Sequence, residues 1–236
     1  MTARVQTTPD PVADGVWRLT LGTPLKINVF FIREGDGVAV FDAGSKPMGP
    51  KIRRAADALG GATRVIVGNA HADHRGGARA IGAPVHCHLD ERADMEGDGG
   101  EHYFDFAQLP FYARPLTPRL MRSWDDGPLQ VSKTLVEGDK VGEGFEVIHL
   151  PGHAPGCIGL WRRSDRLALS NDCFALFDAA FPRAGAPRIP HPTFNWSTER
   201  IPASIAKLAE LQPATCWPGH FGPLTGDVAA QLRPLT

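Results

Sequence analysis

Six residues in this sequence have the types and spacing of metal ligands. His71, Asp73 and His74 fall within four positions, in Gly68-Asn69-Ala70-His71-Ala72-Asp73-His74-Arg75-Gly76-Gly77. His153 stands in Pro151-Gly152-His153-Ala154-Pro155-Gly156, Asp172 closes Ser170-Asn171-Asp172, and His220 sits in Pro218-Gly219-His220-Phe221-Gly222. Several of these segments follow a short apolar run that reads as a strand, which is where a rigid scaffold presents reactive groups. Two Pro-Gly-His loops in one chain are hard to explain by packing. Neutral imidazole and carboxylate are the donors Zn2+ takes at catalytic sites, and iron and manganese accept them too. A metal held this way lowers the pKa of bound water to about 7, so hydroxide is available at neutral pH to attack a carbonyl carbon. No G-x-S-x-G elbow points to a serine nucleophile instead.

The remaining reactive types have plainer readings. His86 and His88 flank Cys87 and fit the alternating faces of a strand. His149 reads as structural, and His102 and His191 as surface histidines. Cys87, Cys157, Cys173 and Cys216 form no CxxC pair, and free cysteine is usually a small buried hydrophobe. The aromatic stretch from Tyr103 to Trp124, with Phe174, Phe177, Phe181, Phe194 and Trp196 beyond Asp172, fits a pocket wall, a dimer face or core filling. Tyr103, Phe106, Phe177 and Trp196 are the candidates for a substrate pocket.

The ordered set of ligand types resembles the metallo-β-lactamase superfamily, whose signature is His-x-His-x-Asp-His, then a distal His, a bridging Asp and a last His. Here it stands as Asn69-x-His71-x-Asp73-His74, His153, Asp172 and His220, spread over nearly the whole chain. The resemblance implies an αββα sandwich, two mixed β-sheets flanked by helices, with metal at one edge. It implies His71, His153 and Asp172 at a first metal and Asp73, His74, His220 and Asp172 at a second, with Asp172 bridging and Asp73 also holding the attacking hydroxide. Asp42 matches the family's aspartate behind a ligand histidine. Asn69 departs from the pattern, because an amide oxygen is a weaker ligand than imidazole. The expectation is a tight second site and a weaker first one, with one or two Zn2+ per chain, or iron or manganese. A single-zinc branch of the β-lactamases shares the Asn but uses Cys where this chain has Asp172.

The resemblance implies a metal-dependent hydrolase of an ester, thioester or lactone. Alternatives from the same residues are a β-lactamase with its first site weakened by Asn69, a non-catalytic metal-binding remnant, and an oxygenase like the persulfide dioxygenases. The last uses the histidine that is Asn69 here. Glutathione thioesterases of the family resemble a similar domain with an added helical one, whereas sixteen residues follow His220.

The elements that must position these residues are short. Gly15–Leu19, Asn28–Arg33 and Val38–Phe41 read as strands, the last two joined at Gly35-Asp36-Gly37. Ile52, Ala55, Ala56 and Leu59 have helical spacing, with Gly60-Gly61 as the stop. Strands are expected at 64–67, 84–87, 134–136, 145–150, 157–162, 166–170 and before Pro218. Residues 96–101 read as a mobile loop, 174–197 as irregular, and Thr198 as the N-cap of a helix to about Leu211. One domain over residues 1–236 is expected, with a helical, aromatic-rich insertion at about 90–128.

Composition sets the outer bounds. Of 236 residues, 42% are hydrophobic and 22% charged, an ordinary globular balance. A net charge of −1 leaves no electrostatic footprint for nucleic acid. No apolar run is long enough for a bilayer, and Met1–Gly15 lacks the apolar centre of a signal peptide. The expectation is a cytoplasmic protein, monomer or homodimer, acting on a small molecule.

Overall fold

The computed structural model describes residues 8–178 and 181–236. Seven strands form a first mixed sheet in the order β1 to β7: Asp10–Ala13, Val16–Leu21, Ile27–Glu34, Gly37–Phe41, Ala62–Ile66, Val85–His88 and Lys133–Leu135. The first four pair antiparallel and β4 through β7 parallel. The second sheet holds β8 (Lys140–Val141), β9 (Phe145–His149), β10 (Ile158–Arg162), β11 (Leu167–Asn171), β14 (Thr215–Pro218) and β15 (Leu224–Thr225). Its order is β15-β14-β11-β10-β9-β8, with β11 and β14 parallel.

Period-two alternation builds the layers. Ala39 and Phe41 of β4 face the second sheet with Phe30 and Ile66, meeting Phe145, Val147, Leu160, Leu169 and Trp217. Val38 and Val40 face the other way, onto Ile52, Ala55 and Ala56 of helix α1 (Gly49–Asp57). The outer face of the second sheet packs on Ile201, Ile205 and Leu208 of the helix Ile201–Glu210 and on Val228 and Leu232 of the helix Val228–Leu232. These layers are the expected αββα sandwich of two mixed sheets.

Between β6 and β7 the chain runs through short helices, including Arg92–Met95 and Thr117–Trp124. The loop at 96–101, expected to be mobile, is tied down. Arg75, 1% exposed, donates from Nη1 to the carbonyls of Asp94, Met95 and Gly97, and its Nε and Nη2 grip Asp125. A local reading of a Gly-rich acidic run misses a cation supplied from the metal loop.

The stretch 174–197, expected to be irregular, contains a two-stranded ribbon, β12 (Ala175–Asp178) with β13 (Phe181–Arg188). Its register shifts twice, and Pro182, Gly185 and Pro187 spoil the alternation that would have marked it. The Phe181 side chain lies outside the described residues. Thr198 is not a helix cap: its hydroxyl accepts from Asn195 Nδ2, a one-turn 3-10 helix covers Thr198–Arg200, and the α-helix starts at Ile201. Proline at 202 suits that first turn. No helix among the described residues is long and apolar enough to cross a membrane.

Candidate metal centre

Parallel pairing brings strand ends to one edge. β4 ends before Asp42 and β5 before the loop 67–71; β11 ends before Asp172 and β14 before Gly219 and His220. Cross-sheet hydrogen bonds fix these loops together: Ile158 donates to the Gly68 carbonyl (2.9 Å) and Asn28 to the Gly219 carbonyl (2.8 Å). His71 precedes the one-turn helix α2 (Ala72–Arg75), which carries Asp73 and His74.

Five of the six expected residues lie within a few ångströms of one another, and the His71 ring meets that of His153 edge-on at 4.6 Å. Asp172 Oδ2 lies 2.9 Å from His74 Nε2, 3.4 Å from His153 Nε2 and 3.5 Å from His220 Nε2. Asp73 lies 3.3 Å from His220 Nε2 and 3.9 Å from His74 Nε2. Donors held tetrahedrally at about 2.1 Å from one ion stand about 3.4 Å apart. The observed distances bracket that value, so these residues fit a metal, and Asp73, His74 and His220 bring their ligand atoms within 4.8 Å of one another.

The outer nitrogens decide which atom faces inward. His74 Nδ1 donates to Asp42 Oδ2 (3.1 Å), His153 Nδ1 to Asn195 Oδ1 (2.8 Å) and His220 Nδ1 to the Lys26 carbonyl (2.9 Å). Each imidazole therefore turns its Nε2 toward the carboxylates, which accept here the proton that a cation would displace, the arrangement that orients metal-binding histidines. His71 differs: its Nε2 shares a hydrogen bond with Tyr103 Oη (2.8 Å), leaving Nδ1 as its remaining donor atom. Asn69 does not face the carboxylates. Its Oδ1 accepts the His71 N–H (2.9 Å) and its Nδ2 donates to Asn171 Oδ1 (2.7 Å).

Electrostatics agree with the geometry. Burial opposes ionisation of Asp172 and Asp73, yet the His74 and His220 imidazoles hold both carboxyls below the usual range. Burial also opposes charge on His74 and His220, but Asp172 and its neighbours raise both, His220 to about 10. Burial and the His153 ring hold His71 well below the ordinary range. All four cysteines are buried thiols pushed up by burial, so none is a reactive thiolate.

Backbone strain clusters here. Asp42 (φ 65°), Asn171 (φ 48°) and Phe221 (φ 58°) all sit in left-handed conformations beside the site, the last costly for a bulky residue. Gly219 has a steric reason: a Cβ there would lie 2.5 Å from Asp172 Oδ1 and 2.7 Å from the His74 ring. Gly152 has a conformational one, at φ 140°.

The carboxylates floor a cavity of about 490 Å3 lined by Leu25, Ile27, Met48, Leu109, Met121, Trp124 and other apolar side chains. Phe177 lines it and meets the His220 ring edge-on at 5.2 Å. Tyr103 stands behind His71, Phe106 packs against Phe104 and Phe194, and Trp196 lies under the Arg200 guanidinium, all three outside the lining. His191, read as a surface residue, lines the cavity; His102 is exposed and pairs with Asp98. His88 stacks on His149 at 3.9 Å, its Nδ1 accepting the Asp90 N–H, while His149 Nε2 donates to the Pro155 carbonyl.

Four supporting residues escaped the sequence reading. Asn171 ties Asn69, Asp172 and Asp42 together. Asn195 orients His153. Asn28 donates to the carbonyls of Pro218 and Phe221. Glu91 accepts the N–H groups of Ala70 and Gly156 (2.7 Å each), joining two metal loops, and burial pushes its pKa up to about 8. Only Asn171 carried a local signal, as an Asn tolerant of left-handed backbone next to a candidate ligand.

Residues 22–220 match the metallo-β-lactamase superfamily, and the chain belongs to that family. It is 27% identical over 160 residues to the probable metallo-hydrolase YybB of Bacillus subtilis (strain 168), covering 65% of this chain and 66% of that protein, just under two thirds of its length. Among solved structures it resembles the metallo-β-lactamase family protein TTHA1429 from Thermus thermophilus (TM-score 0.68, 19% identity, 95% of this chain and 79% of the other). It also resembles TTHA1623 in a di-iron-bound form (TM-score 0.64, 24% identity, 93% and 99%). At these identities the structures establish the fold.

Proposed function

We propose that this chain is a metal-dependent hydrolase that cleaves an ester, thioester or lactone at its carbonyl carbon. The observation that carries the reading is the convergence of three imidazole Nε2 atoms on Asp172 at 2.9–3.5 Å, on the floor of a cavity. Family membership and the resemblance to a probable metallo-hydrolase support it.

Asp73, His74, His220 and Asp172 would hold the tighter ion, and His71, His153 and Asp172 the weaker one. When bound, a divalent ion supplies a Lewis acid and brings the pKa of a coordinated water toward neutrality. Zn2+ is the proposed ion; iron and manganese accept the same His and carboxylate donors. Asp73, at the cavity floor, accepts a hydrogen bond from the attacking water and turns its lone pair toward the acyl carbon. Asp42, Asn195 and the Lys26 carbonyl keep the histidines from rotating as charge shifts.

The test is a panel of thioesters, lactones and nitrocefin, with oxygen uptake on a persulfide as a separate arm. Metal-loaded protein is expected to turn over an ester-type member, chelated protein none, and Asp73→Asn to lose about 100-fold or more in kcat. Turnover of nitrocefin alone, oxygen uptake alone, or no activity with metal present would overturn the reading in favour of the β-lactamase, the oxygenase or the remnant.

A further inference from the structure

The wall above the carboxylates has a chemistry of its own. Among the described residues, the cavity lining contains no lysine and no arginine. Several cations close in sequence to the lining residues already have partners. Lys26 Nζ donates to the Gly22 carbonyl (3.0 Å), Lys46 pairs with Asp126 (2.7 Å), Arg114 Nε donates to the Leu109 carbonyl (2.9 Å) and Arg122 pairs with Glu101 (3.3 Å). Arg75 is buried against Asp125. A carboxylate at the far end of an acyl chain laid along this wall, away from the histidines and the metal site, would lose its water and meet no lysine or arginine.

The apolar surface does not stop at the cavity. Tyr112 and Leu120 line it and are also 52% and 49% exposed, and Leu116 and Phe111 continue outward at 64% and 81%. All four lie on or just before the helix Thr117–Trp124, whose Met121 and Trp124 face the cavity. Apolar side chains therefore extend from the cavity lining onto the exposed part of this segment.

Building on the hydrolase reading, we infer that the substrate is an uncharged acyl ester, thioester or lactone with a straight apolar acyl chain, laid along Met121, Leu120 and Tyr112. Acyl groups that end in a carboxylate are rejected. The reaction adds water across the acyl–oxygen or acyl–sulfur bond: the acyl carbon gains the hydroxyl, and the departing alcohol or thiol keeps the bond electrons and takes the proton.

The experiment uses the metal-loaded full chain with two matched series, phenyl thioesters of straight acyl chains from acetyl to decanoyl and the same acyl groups ending in carboxylate. The expected kcat/KM rises about fourfold per methylene until the cavity is filled, and a terminal carboxylate lowers it about 100-fold or more. Met121→Lys is expected to reverse the charge preference. Calorimetric titration of straight-chain amides, with and without a terminal carboxylate, reads binding independently of turnover. Chain-length-dependent binding of the uncharged amides without turnover of any thioester keeps the uncharged, apolar ligand and removes thioesters from the hydrolase reading. Equal kcat/KM or equal affinity for charged and uncharged members, or no dependence on chain length, overturns the inference itself.

Discussion

Asn69 shows how one side chain divides a site. Both of its polar groups are spent, Oδ1 on the His71 N–H and Nδ2 on Asn171 Oδ1, so nothing of it is left to face an ion. His71, His153 and Asp172 then remain as three donors, while Asp73, His74, His220 and Asp172 remain as four. We expect elemental analysis of protein purified without chelators to give about one tightly held metal per chain. Asn69→His is expected to raise that to about two, whereas Asn69→Ala leaves it near one. Two equivalents in the unaltered chain would refute the asymmetry.

At the scale of elements, Arg75 and His88 join parts of the chain that have no local reason to meet. Arg75 grows from the metal-loop helix and holds both the 94–97 turn and Asp125, at the end of the helix that forms the cavity wall. Arg75→Met leaves several carbonyls and a carboxylate without their donor and is expected to cost about 3 kcal/mol, measured by urea denaturation. His88 stacks on His149 across the two sheets, and burial, then the His149 ring, push its pKa down from 6.5 to about 4. Protonation is therefore favoured in the unfolded chain. The stability His88 contributes is present above pH 6.5 and is lost as pH falls toward 4. His88→Asn keeps an acceptor for the Asp90 N–H but does not titrate. The unaltered protein is expected to lose about 1 kcal/mol more than the variant between pH 7 and pH 4.5; parallel curves would remove His88 as the cause.

Across the whole molecule, the centre is built from both sheets, so an ion there links them. His71, Asp73 and His74 follow the first sheet; His153, Asp172 and His220 follow the second. An ion that binds only the folded chain, at about 1,000 times its dissociation constant, adds about 4 kcal/mol. For a chain of this size that corresponds to a Tm about 8–16 °C higher than in chelated protein. Scanning calorimetry with and without chelator checks this, and an unchanged Tm would mean that the folded state gains nothing from metal.

The candidate ligands, their order and the layered fold were legible in the sequence through the family resemblance and the local patterns beneath it. An apolar run after the Gly35-Asp36-Gly37 turn marks β4, helical spacing marks α1, and imidazole and carboxylate types stand beside turn residues. The ribbon at 175–188 was illegible because proline and glycine broke its alternation, and Thr198 misled because the true helix start is set by Pro202 and packing. Which nitrogen of each histidine faces inward, that Tyr103 stands behind His71 while Phe177 lines the cavity, and that Glu91 joins two loops were decided by tertiary structure alone. Their partners lie tens of residues away, as Asn195 does from His153 and Gly156 from Glu91. A hydrogen bond across that separation leaves no periodicity in the chain. It exists only once parallel strands bring their ends to the same edge.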